Sequence, residues 1–293
     1  MKRSDLVLTL GQRLFLLMCM FLICYGLTMV LSFVLGNVFA ARPAVALRMS
    51  AMVQDVVAFI VPAVATSVIV CRNPAALLCL STPRLKMMVL VMAMLFVSVP
   101  VQEAVIYWNY NISLPESMSG FESMSRSLEN AAFATLKVML GDTGIGSLIL
   151  NLLIIGVAAG FAEELLFRGC FQRLLVTGGV NVHVAIWLVA FVFSALHMQF
   201  FGFVPRMLLG AYFGYLLLWS GSIWVPVIAH TLNNMIYVFA MWNQVRHGGM
   251  EALSNDPSLW NIWATLGSAV FTVGVLFLMW KLRDSGKHSG YAA

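Results

Sequence analysis

The chain has 293 residues, 61% of them hydrophobic and 10% charged, with a mean hydropathy of +0.92. Soluble domains carry roughly 25% charged and 45–50% apolar residues, so the composition excludes a water-soluble globule and makes the bilayer the solvent. The 17 Lys and Arg give a net charge of +5, but they lie singly or in pairs between apolar runs, which excludes the basic stripe that a nucleic-acid partner requires.

A spanning helix needs about 20 apolar residues, and suitable runs lie at 14–36, 51–70, 87–107, 146–167, 182–198, 205–220, 223–243 and 259–280. They predict an all-α polytopic membrane protein of about eight transmembrane helices, organised as one transmembrane domain over residues 1–293. The first run continues well past the roughly 7–15-residue core of a signal peptide and lacks a clean cleavage site, so it reads as a retained span. Turn signals separate the runs at Arg42-Pro43, Asn73-Pro74, Gly178-Gly179, Gly202 and Gly221, with a further loop at 244–258. The one long polar segment is 109–144. There Glu116, Glu122 and Glu129 accompany Leu128, Ala132 and Leu136 at helical spacing, which predicts an extramembrane amphipathic helix on the membrane or over a cavity.

With both termini in the cytoplasm, Lys2, Arg3, Arg13, Arg72, Arg84, Lys86, Arg168, Arg173, Lys281, Arg283 and Lys287 fall inside, and Arg42, Arg48, Arg126, Lys137, Arg206 and Arg246 outside. That bias fits the positive-inside rule and an integral protein of a bacterial plasma membrane. Cys19, Cys24, Cys71, Cys79 and Cys170 are scattered without CxxC or framework spacing and read as small apolar residues.

A few ionisable residues interrupt the spans. Glu163-Glu164 lies within LILNLLIIGVAAGFAEELLFRG, where each charge costs roughly 2.5–3.5 kcal/mol on insertion scales and must face protein or trapped water. Glu164 and Arg168 are four apart in the order that favours an ion pair, and Glu163 points about 100° away from them. His197 follows Phe193 by one turn, and His230 shares a helical face with Asn234. His183, His247 and His288 fall at span ends or in loops. Counted from the Gly178-Gly179 turn, Glu163 and His197 lie about 22 and 27 Å away along antiparallel helices, which puts them at similar depth.

Such a set supports peptide hydrolysis between the central helices. A carboxylate among apolar groups is a general base for water, a histidine opposite it shares the water and passes a proton to the leaving amine, and a second histidine with an amide donates to the oxyanion. No Ser or Cys is placed as a nucleophile.

Glu163-Glu164-Leu165-Leu166-Phe167-Arg168 fits EExxxR, Phe193 to His197 fits FxxxH, and His230 to Asn234 fits HxxxN. These three motifs, in this order on separate apolar helices, resemble the CPBP intramembrane proteases, which include the CAAX prenyl endopeptidases and bacteriocin-processing proteins. The resemblance covers the four-helix core at 146–243. It implies Glu163 as the water-activating base, His197 as its partner, His230 and Asn234 as the oxyanion pocket, and Glu164 and Arg168 as groups that orient the site. The implied substrate is a peptide or lipidated protein in the membrane, and the implied mechanism has no cofactor.

Other readings stay open. Glu163, His197 and His230 could be a three-ligand zinc site with an open position. A non-catalytic scaffold could bind another membrane or cell-wall protein through the same helices. Gln54-Asp55 and Glu103 lie in outer halves of spans as buried partners, interface residues or a proton path, and a transporter using Asp55, Glu103 and Glu163 is a third class, although the repeat symmetry of transporters is absent. The 19 Met residues read as packing or as a groove for an acyl or prenyl chain, in contact with membrane lipids. The substrate and the oligomeric state are not encoded in any of these features.

Overall fold

A computed structural model describes residues 8–247 and 262–283. Lys2, Arg3, Trp260, Lys287, His288 and most of the 244–258 loop lie outside the described residues. Among the described residues there is no strand. The helices are α1 (Leu10–Val38), α2 (Pro43–Val70), α3 (Leu85–Val97), α4 (Val99–Tyr110), α5 (Ser119–Leu140), α6 (Ile145–Thr177), α7 (Val182–Ala195), α8 (Phe203–Ser220), α9 (Trp224–Arg246) and α10 (Ile262–Lys281).

The protein is a polytopic all-α membrane protein. Five stretches are long and apolar enough to cross a membrane, namely α1, α2, α6, α10 and the Phe200–Ser220 stretch that contains α8, and the α3–α4 pair, bent by 54°, makes a sixth. About eight spans were expected from apolar runs, and two of those runs behave differently. α7 has 14 residues, about 21 Å of helix, because the chain turns just before His197. α9 has 23 residues but carries His230, Asn233 and Asn234 on its apolar background. Residues 109–144 do form an amphipathic helix, α5, preceded by a short 3-10 turn at Glu116–Met118.

Breaks in the helices have identifiable causes. Pro100 cannot donate to its preceding turn, and the chain bends between α3 and α4. Ser268 of α10 repairs the break by donating to the Val97 carbonyl (2.6 Å) and accepting from the Val101 N–H (3.3 Å). Pro62 acts similarly in α2, where Gln54–Ile60 widens to a π-helix just before it. α6 contains two further π stretches, Leu152–Ala158 and Leu165–Gln172, on either side of Ala159–Glu164.

α2 and α6 run parallel. Arg48 donates to the Asn151 side chain (2.9 Å) near one end, and the Phe59 and Phe167 rings pack 6.3 Å apart further along. α9 runs antiparallel to α6 through two glycines. A Cβ on Gly160 would lie 2.6 Å from Thr231 Oγ1 and 3.0 Å from its backbone nitrogen, and one on Gly156 would lie 2.6 Å from Met235. On α8, Gly210 and Gly214 play the same part against Arg168, Gln172, Ala190 and Ile186. These are small-xxx-small stripes, which let helix backbones approach in a bilayer where burial alone gives little drive to associate. Gly160→Ala is therefore expected to force α6 and α9 apart and lower stability by about 1–3 kcal/mol, the usual cost of overpacking, seen as a lower melting temperature of the full chain in lipid.

Two charges assigned to the cytoplasmic side are not at an interface. Arg168 and Arg173 are buried in the bundle, so they serve packing and the site, and do not bear on the charge bias between the two faces.

Candidate active site

Glu163 and Glu164 sit near the middle of α6, which has 33 residues. Glu163 is about 21 Å from the Thr177 end at 1.5 Å per residue. α7 returns from the turn at Gly178-Gly179 and ends at Ala195, so His197 arrives at the same depth on the loop between α7 and α8. α9 also begins deep. Ile223 donates to the Cys79 carbonyl (2.9 Å), Ser81 donates to Gly221 (2.8 Å), and Ser222 donates to Ser81 (2.5 Å). That anchorage places His230, six residues into α9, beside Glu164.

Glu164 is the hub. It is fully buried, and its Oε1 accepts from Arg168 Nη1 (2.7 Å) and from His230 Nδ1 (2.8 Å). Arg168 uses Nη2 to donate to the Gly210 carbonyl (2.9 Å), and its guanidinium lies 4.6 Å from the centre of the Phe193 ring. Such further bonds offset the cost of burying an ion pair, although Glu164 Oε2 and Arg168 Nε are left buried without a hydrogen-bond partner. Because a paired carboxylate accepts, the proton at Nδ1 of His230 is held by Glu164. Nε2 is then turned toward Glu163, 3.8 Å from Oε2.

His197 is fixed the same way by a different acceptor. Its Nδ1 donates to the Phe193 carbonyl (2.8 Å), which leaves Nε2 as a lone-pair acceptor. The ring is exposed and lies within electrostatic reach of Glu163, His230 and Arg206. Phe193 packs edge-on against both imidazoles, with centroids 5.0 Å from His197 and 6.0 Å from His230, and Phe213 stacks on His230 at 4.8 Å. The next residue, Met198, has φ 55°. A non-glycine residue held in the left-handed region stores strain of the kind that gathers at functional loops.

α5 covers this loop. Glu129 accepts from the Phe201 N–H (3.1 Å) and the Gln199 side chain (3.3 Å), and Gln199 accepts from Arg206 (2.6 Å). Arg126 lies 3.4 Å from the centre of the Phe201 ring. Burial holds the Glu129 carboxyl above the usual carboxylate range, against the opposing pull of Arg206, the Phe201 and Gly202 N–H groups and Arg126.

Each residue singled out by the motifs can now be placed. Glu163, Glu164, Arg168, His197 and His230 come together. Asn234 lies one turn past His230 and donates one amide hydrogen to the Ile155 carbonyl (3.1 Å) in the first π stretch of α6, so one hydrogen is left for a ligand. Glu103 is exposed on α4, and His183 pairs with Tyr215 (3.0 Å), so neither joins the set. Among the described residues no three His, Cys, Asp or Glu side chains are gathered closely enough to hold a metal ion.

The sequence did not give the partner of His230, and it offered Asp55 as a buried polar residue without placing it at the site. The bond from His230 to Glu164 spans 66 residues and has no local signature. Asp55 is buried on α2 within electrostatic reach of Glu163; its polarity inside a span was the available signal.

Comparison with known proteins agrees with this geometry. Residues 145–236 match the family described as type II CAAX prenyl endopeptidase Rce1-like. A protein of Bacillus subtilis (strain 168), "Uncharacterized protein YpbD", is 26% identical over 91 residues, which is 30% of this chain and spans 43% of that relative's length. No solved structure matches the chain. The matched residues run from the start of α6 to past Asn234 and contain all three motifs, so the likeness to that family lies over the segment that holds the site.

Proposed function

We propose that this protein is an intramembrane endopeptidase of the CAAX-protease type, which hydrolyses a peptide bond of a membrane-associated or lipidated substrate with a glutamate-activated water. The observation that carries the reading is the pairing of two adjacent carboxylates with different tasks. Glu164 is consumed by Arg168 and His230, whereas Glu163 has His230 Nε2 at 3.8 Å and His197 within reach.

In this reading water lies between Glu163 and the scissile carbonyl, with His197 Nε2 as a second acceptor. Glu163 takes one water proton as the oxygen bonds to the carbonyl carbon. The oxyanion is met by the remaining Asn234 N–H and by His230 Nε2 when that nitrogen is protonated, while Glu164 holds Nδ1. The tetrahedral adduct then collapses, the C–N bond breaks, and the proton held by Glu163 passes to the departing amine. Donors fixed before the reaction are worth most in a site that excludes water.

The test uses the full chain in liposomes with membrane peptides as substrates, assayed with and without a strong chelator. Peptide release is expected to persist after chelation, with unchanged rate and no bound metal by elemental analysis. Loss of release on chelation, restored by zinc, would favour a zinc site at Glu163, His197 and His230 over the metal-free mechanism.

A further inference from the structure

Asp55 is a buried acidic side chain that the mechanism leaves unused. It lies in the π stretch of α2, is 4% exposed, and its Oδ2 is buried without a hydrogen-bond partner. A lone carboxylate in that position is an uncompensated buried charge, which proteins avoid by pairing or by keeping the proton.

The register between α2 and α6 says what it faces. The two helices are parallel, with Arg48 bonded to Asn151 near one end and Phe59 packed on Phe167 further along. One turn before Phe59 is Asp55, and one turn before Phe167 is Glu163. Residues a turn apart share a helix face, so the contact that joins the two phenylalanines also sets Asp55 opposite Glu163, and the two carboxyl groups interact electrostatically. Among the described residues the other charges on the helices around Asp55 are engaged elsewhere, Arg48 with Asn151, Met139 and Ser147, and Arg173 with the Leu77 carbonyl. On α6, Glu164 and Arg168 are turned to α8 and α9 and occupied with Gly210 and His230. On α1, the one charged residue is Arg13, near the Gly178 turn, where Leu10 packs on Gly178.

We propose that Asp55 and Glu163 form a carboxyl pair across the α2–α6 interface, in which Asp55 keeps the proton and donates it as a hydrogen bond to Glu163. Two carboxyl groups sharing a dry site cannot both ionise, and the more deeply buried member is the one that stays neutral. Asp55 is then a positioning residue. It holds the Glu163 carboxyl in place from a helix outside the 145–236 segment that matches known proteins. The role rests on reading Glu163 as the base.

Infrared spectroscopy on the full chain in lipid nanodiscs tests the pair without any substrate. A carbonyl stretch from a protonated carboxyl is expected at neutral pH, absent in Asp55→Asn and shifted in frequency in Glu163→Gln. If the band persists in Asp55→Asn, or is unmoved by Glu163→Gln, the pair does not exist. Cleavage assays supply the second readout. Asp55→Leu is expected to lower kcat by about 10- to 100-fold, the size of a hydrogen bond to a charged group, with little change in KM. Asp55→Asn, which still donates, is expected to restore most of kcat and to lack the alkaline decline expected of the wild type when the pair gives up its last proton. An alkaline limb equally steep in Asp55→Asn contradicts the proposal. Were the wild type to cleave nothing, the endopeptidase reading would fall, and the infrared result would still decide whether the two carboxyls share a proton.

Discussion

Glu163→Gln is expected to lower kcat by about 10²–10⁴-fold, the usual contribution of a positioned general base, while the protein inserts and melts as the wild type does. The effect on chemistry is large because the amide cannot take a proton from water. The effect on stability is small because Glu163 stands outside the Glu164–Arg168–His230 network, and the glutamine oxygen still accepts from Asp55. His230 Nε2 lies 3.8 Å from it, beyond hydrogen-bond length, and the strong bonds nearby belong to Glu164. His197→Ala is expected to act in the same direction without destabilising the fold, since that ring is exposed and bonds only to a carbonyl of its own helical turn. Activity is read as peptide release per folded protein, and folding as the melting temperature in lipid.

Arg168→Met is expected to show the opposite profile, with loss of the fold ahead of any specific loss of chemistry. It would strand Glu164 as a fully buried carboxylate and leave the Gly210 carbonyl without its donor. Breaking one half of a buried ion pair costs about 3–5 kcal/mol, a large share of the stability of any domain. The double variant Glu164→Leu with Arg168→Met removes both charges and is expected to melt higher than Arg168→Met alone, because removal of both partners leaves no uncompensated charge. It would still be inactive, with His230 released from its anchor. A double variant as unstable as Arg168→Met would show that the pair acts through packing alone.

The sequence exposed some of this and hid the rest for physical reasons. Apolar runs report hydrocarbon contact, and they marked α1, α2, α6 and α10 well. They overstated α7, a helix whose length is set by the loop that delivers His197, because hydropathy measures composition and not where a chain turns. The spacing of Glu164 and Arg168 fixed their ion pair, since neighbours four apart on a helix must meet. That pair's third member, His230, comes from another helix, and no local spacing encodes the register of α9 on α6. Gly156 and Gly160 permit the close approach of α9 to α6, and Gly210 and Gly214 that of α8 to α6 and α7, but a spacing of four marks a packing stripe without naming the helix that fills it. Asp55 stood out as polar, yet its partner follows only from the packing of Phe59 on Phe167.

The most direct measurement is cleavage in ¹⁸O-labelled water. Full-length wild type and Glu163→Gln, each in liposomes containing a membrane peptide extract, are incubated and the products are sequenced by mass spectrometry. Wild type is expected to generate new peptide C-termini that carry ¹⁸O, and Glu163→Gln to generate none above background. The same ¹⁸O-labelled termini appearing at the wild-type rate in Glu163→Gln would contradict the assignment of Glu163 as the base that activates water.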